Sequence, residues 1–154
     1  MNDNPNTIRI LCYGDSNTWG CIPVTWKRYD PATRWTGRLQ KALSDKYEII
    51  EEGLNGRTIN LDYPEKEGKN GETYLKPCMQ THSPLDIVIL WLGTNDLQHR
   101  FDRTPAQITQ GIETLLTIIH NPEYNNDNDP KVILLSPPLV IEDNPIAQKY
   151  YQGA

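Results

Sequence analysis

No apolar run in this 154-residue chain approaches the roughly 20 residues that cross a bilayer. The first ten residues, MNDNPNTIRI, are polar where a secretion signal needs an apolar stretch. No membrane partner is therefore expected, and the expected location is the cytoplasm. Cysteine is scarce: Cys12, Cys21 and Cys78 are odd in number and lack metal-ligand spacing, so buried or inert thiols fit better than a disulfide framework. The 15 Lys and Arg residues are outnumbered by 20 Asp and Glu and are scattered, whereas a phosphate backbone requires a basic stripe. Nucleic acid is not an expected partner. Internal repeats, low-complexity tracts and a glycine-rich dinucleotide fingerprint are also missing. What remains is the composition of one globular domain spanning residues 1–154, with 37% apolar and 23% charged residues.

Residues 8–13, IRILCY, are apolar on both sides of an extended chain, as in a parallel sheet covered by helices on each face. Trp35, Leu39, Ala42 and Leu43 recur at helical spacing within residues 34–46. Residues 47–54, 85–96 and 131–138 supply three more strands, the last stopped by two prolines. Thr104 and Pro105 form an N-cap and first-turn pair ahead of a stripe of Ile108, Ile112, Leu115, Leu116 and Ile119. Residues 55–83 have no clean period and read as a long loop, with one short helix near 74–80; residues 62–77 are the candidate lid or contact surface. Alternating strands and helices imply an α/β fold: a three-layer sandwich around a parallel, flavodoxin-like sheet with four recognisable strands.

Ligands bind such sheets outside the carboxyl ends of the strands. The segments found there are GDSN, GLNGRT, GTND and SPP, three of which combine Gly with Asn, Asp or Ser. A serine opening a helix can be attacking hydroxyl and backbone donor together. That makes Ser16 the candidate nucleophile. Gly56 allows backbone to approach a substrate closely, and Asn95 offers a side-chain amide to the same oxygen.

These segments resemble the block pattern of the SGNH (GDSL-like) hydrolases. YGDSNTWG (13–20) is similar to the block with the nucleophilic serine, EGLNGRT (52–58) to the glycine block, and LGTND (92–96) to the Gly-x-Asn-Asp block. RWTGRL, NGETYL, HSPLDIVI and SPP extend the likeness to the arylesterase and acyltransferase branch, across residues 10–138. The resemblance implies acyl transfer from a small carboxylic ester through an acyl-serine on Ser16, with no cofactor and no metal. Ser16, Gly56 and Asn95 would form the oxyanion hole, and Asp15 and Asp96 would brace the loops. Trp19 and Trp91 read either as walls of an acyl pocket or as core. Relatives of this branch assemble from several subunits, so a homo-oligomer is expected.

The family takes its base from a C-terminal Asp-x-x-His block, which is not found before Ala154. The chain therefore reads as C-terminally incomplete, lacking a fifth strand, and weak esterase activity is expected of it. Of His82, His99 and His120, only His99 falls beyond a strand end on the serine side, making it the candidate substitute base. Two other readings compete: a silent remnant of such an enzyme, and a flavodoxin- or receiver-like binding domain in which Asp15 and Asp96 hold a cation or phosphoryl group.

Overall fold

The computed structural model describes residues 6–141 and 143–151. Residues of both parities are apolar in the two central strands, β1 (Ile8–Gly14) and β3 (Ile87–Trp91), while the flanking strands β2 (Tyr47–Gly53) and β4 (Lys131–Leu134) mix apolar with charged residues. All pair in parallel, in the order β2-β1-β3-β4. Ile10 of β1 lies between Ile49 and Ile87, and Gly14 between Gly53 and Trp91. The chain therefore leaves every strand at the same rim.

Alternation along β1 and β3 divides the core between the two faces. Leu11, Tyr13, Val88 and Leu90 join Leu75, Met79, Leu115 and Ile119 on one face. These come from α3 (Gly71–His82) and α4 (Pro105–Ile119). Ile10, Cys12 and Ile89 face the other way, against Trp35, Leu39 and Leu43 of α2 (Trp35–Leu43). Arg34 grips the Glu51 carboxylate with two bonds of 2.7 Å and fixes the start of α2 on β2. On this second face an open groove of about 340 Å³ runs between Trp35, Leu39, Ile89, Ile133 and Leu135.

The N-terminus of α4 follows its sequence signature. Thr104 Oγ1 accepts from Gln107 N–H while Gln107 Oε1 accepts from Thr104 N–H, a reciprocal cap of about 1 kcal/mol. The reading of 55–83 as a loop with a short helix needs correction, because α3 spans twelve residues and occupies much of the supposed lid. Asn70 caps it by accepting from Thr73 N–H. Its buried stripe is only Leu75, Cys78 and Met79, and Pro77 inside it reads locally as a breaker. Burial of that stripe against Tyr13 and Leu115 overrides the local preference. β4 is also shorter than the 131–138 segment and stops at Leu134, ahead of Pro137 and Pro138.

Two further α-helices among the described residues are short: α1 (Ser16–Trp19) follows β1 directly, and α5 (Pro145–Tyr151) closes the described chain. α1 lies across the end of β2, where a Cβ on Gly53 would fall 2.1 Å from the Trp19 nitrogen. Backbone cannot yield as a side-chain tip can. Gly53→Ala is expected to lower unfolding free energy by about 1–3 kcal/mol in urea titration. An unchanged midpoint would show that α1 is not pinned there.

Candidate active site

The first strand-end turn is built around Asp15. Its Oδ1 accepts from Asn17 N–H at 2.8 Å and caps α1, which places Ser16, half-buried, at the first helical position. Among the described residues, neither the Ser16 nor the Gly56 backbone N–H has a hydrogen-bond acceptor. Gly56 occupies the left-handed region at φ 77°, where a side chain would be strained. A Cβ there would meet only the Tyr63 hydroxyl, at 3.8 Å, so open space lies beside this turn.

Asn95 joins three strand ends. Its Nδ2 donates to the Arg57 carbonyl at 3.0 Å, beside Gly56, and lies 3.5 Å from Asp15 Oδ2, beside Ser16. The first bond is well formed and the second is at the limit of one, so one amide hydrogen is loosely held. Gln98 Nε2 donates to Asn95 Oδ1 at 3.0 Å, which sets the way the amide points. Asn17 Nδ2 reaches Thr94 Oγ1 at 3.4 Å as a second tie between the first and third turns. Thus Asp15, Ser16, Gly56 and Asn95 gather at one place.

Asp96 does different work. Both of its oxygens accept from Ile59 N–H, at 3.1 and 3.0 Å, and Oδ1 also accepts from Arg103 at 2.9 Å. Its lone pairs are directed at the loop after β2 and at Arg103. The receiver-like reading, in which Asp15 and Asp96 share a cation, finds both carboxylates already engaged.

The histidines are held elsewhere. His82 Nε2 donates to Glu52 at 2.9 Å and His120 Nδ1 to Asp129 at 2.6 Å. His99 is exposed, and its Nδ1 donates to the Tyr150 carbonyl of α5 at 2.9 Å. No histidine hydrogen-bonds Ser16 among the described residues. Trp91 donates from Nε1 to the Ser136 carbonyl and packs edge-on to Trp35 at 5.9 Å; the Trp19 ring lies under Arg28 at 5.5 Å.

Several site residues carried no sequence signal that singled them out. Arg57 is buried, stacked on Tyr13 at 4.2 Å and Tyr74 at 5.1 Å. It donates to the carbonyls of Gly14 and Glu52, clamping the ends of β1 and β2. Tyr63, edge-on to Phe101, and Tyr151 of α5, with Gln98 and Asp15 around it, sit near the same hollow. A buried arginine breaks every periodic pattern, so nothing in the sequence marked Arg57.

Burial pushes the Asp15 carboxyl up to about 6 and the nearby Asp96 charge adds to this, against bonds from Asn17 and Thr94. Burial also raises Asp96, opposed by Ile59 N–H and Arg103. For Asp15 the folded value exceeds the unfolded one, so its stabilising contribution is complete below the unfolded value and is lost as pH rises through about 6. Asp15→Asn is therefore expected to lose less stability than the parent chain between pH ~4 and ~7, by about 3 kcal/mol at most. Parallel urea-derived pH profiles for the two proteins would contradict the shift.

The chain matches the GDSL-like lipase/acylhydrolase family over residues 12–153. Among solved structures it is similar to the aryl esterase of M. smegmatis, at 42% identity and TM-score 0.87, over 96% of this chain and 72% of that one. It is equally similar in shape to Est24, a carbohydrate acetylesterase from Sinorhizobium meliloti (40% identity, TM-score 0.87, 96% and 72% covered). A further carbohydrate acetylesterase family member from that organism matches at 32% identity and TM-score 0.85, over 96% and 71%. A search of curated proteins gave no match. With identity of this order across nearly all of its length, the chain belongs to the GDSL-like lipase/acylhydrolase family, the SGNH ester hydrolases.

Proposed function

We propose that Ser16 is the nucleophile of this ester hydrolase and that the Ser16 N–H, Gly56 N–H and Asn95 Nδ2 hold the oxyanion. The observation that carries this reading is the Asn95 amide, in hydrogen-bond contact with residues beside both Ser16 and Gly56. Ser16 Oγ attacks the ester carbonyl and its proton passes to a base. The carbonyl oxygen, becoming anionic, meets two backbone donors with no competing acceptor and the loosely held Asn95 hydrogen. Collapse of the tetrahedral species breaks the ester C–O bond, the alcohol oxygen takes back the proton removed from Ser16, and an acyl-serine remains, which water then hydrolyses to release the acid and restore the Ser16 hydroxyl. An alcohol arriving in place of water would make the same intermediate an acyl donor. The named activities of the relatives, aryl esterase and carbohydrate acetylesterase, support small acyl groups such as acetyl.

The reading extends to self-association. Among the described residues β4 is a sheet edge, and Ile133 and Leu134 on it are about half exposed, at 47% and 50%. Species heavier than a monomer are expected in sedimentation velocity, and a single monomeric boundary at high concentration would contradict this.

Hydrolysis of p-nitrophenyl acetate tests the site. Ser16→Ala is expected to abolish it, and Asn95→Ala to lower kcat about 100- to 1000-fold, the loss of one oxyanion donor. His99→Ala is expected to change the rate only a few-fold, because Nδ1 is engaged with the Tyr150 carbonyl. Activity surviving Ser16→Ala would refute the nucleophile, and loss in His99→Ala would make His99 the base.

A further inference from the structure

On the α3/α4 side of the sheet, Glu52, Cys78 and His82 bring a carboxylate oxygen, a sulfur and an imidazole nitrogen within 4.8 Å of one another. Cys78 and His82 are four residues apart on α3, so both project from one face of the helix. Glu52 is the penultimate residue of β2 and faces them, its Oε1 2.9 Å from His82 Nε2. A hydrogen bond from His82 Nε2 accounts for Glu52 and His82, which are about one-fifth and one-quarter exposed. At that exposure such a contact contributes little to stability and does not require a sulfur beside it.

We propose that Glu52, Cys78 and His82 form a binding site for a zinc-class divalent cation, separate from the serine site. A soft thiolate, an imidazole and a carboxylate are the mixed donor set that such an ion accepts, with solvent as fourth ligand on the exposed side of His82 and Glu52. Around a tetrahedral zinc, ligand atoms stand about 3.5 Å apart. The widest pair therefore has to close by only about 1 Å, within the reach of side-chain rotation. The bonds formed are metal–Sγ, metal–Nε2 and metal–Oε. The Cys78 S–H bond and the His82 Nε2–H bond donated to Glu52 both break as the metal takes the place of those protons; the Cys78 proton leaves to solvent, and His82 is left as the neutral ring with its one proton on Nδ1.

Without a cation the thiol is inert, since burial and then the Glu52 charge push it up to about 12. A divalent ion supplies the charge that ionises it, and the Arg57 guanidinium already acts in that direction. The site would tie the end of α3 to the end of β2. Arg57 holds the Glu52 carbonyl on that same strand end, so metal occupancy would stiffen the base of the Gly56 turn.

Cobalt(II) titration of the full chain tests the proposal. One ion per chain is expected, with a thiolate-to-cobalt charge-transfer absorption that zinc abolishes by displacement. The band is expected to vanish in Cys78→Ser, to need at least tenfold more cobalt in His82→Gln and Glu52→Gln, and to persist unchanged in Cys21→Ser and Ser16→Ala. Absence of the band in the parent chain would overturn the site. So would a band that survives in His82→Gln at the same affinity, or one that disappears with Cys21 and not with Cys78. Should Cys78→Ser fail to fold, the half-buried His82 and Glu52 variants decide.

Discussion

The Asn95 amide is largely buried, so most of its hydrogen-bond partners come from the protein itself. It finds them on three separate segments: the Arg57 carbonyl after β2, the Asp15 carboxylate after β1, and Gln98 just beyond its own turn. A displacement of any of these turns leaves a buried polar group unpaired, at about 1–3 kcal/mol. That cost holds the strand ends in mutual register, and the rest of the site follows from it. Arg57 reinforces the same arrangement from beneath, because its guanidinium binds the Gly14 and Glu52 carbonyls while the Tyr13 and Tyr74 rings cover it.

The network divides the two carboxylates by role. Asp96 satisfies Ile59 and Arg103, which stabilises the loop leading to α3. Asp15 caps α1 and closes on Asn95, at the expense of a buried charge. Beside these paired groups the Ser16 and Gly56 N–H donors have no acceptor among the described residues, and donors left free in this way can stabilise a developing oxyanion.

Legibility in the sequence tracked locality. β1 and β3 could be read because their apolar residues occupy both parities, and α4 because Thr104, Pro105 and Gln107 mark its start within four positions. Ser16, Gly56 and Asn95 stood out as polar or Gly positions immediately after apolar runs. α3 did not stand out, since its stripe is short and Pro77 interrupts it; its stability comes from residues far away in the chain. Arg57 and Gln98 were equally silent. Arg57 takes its meaning from carbonyls 5 and 43 residues distant, and Gln98 from the orientation of one amide, neither of which leaves a periodic trace.

The central claim is that the turns after β1, β2 and β3 converge on a single oxygen-sized position. A crystal structure of the chain with an organophosphonate ester covalently bound tests it most directly. The account predicts phosphorus on Ser16 Oγ, with one phosphoryl oxygen within hydrogen-bond distance of Ser16 N, Gly56 N and Asn95 Nδ2 together. Phosphorus on another residue, or a phosphoryl oxygen turned to solvent away from Gly56 and Asn95, would contradict it.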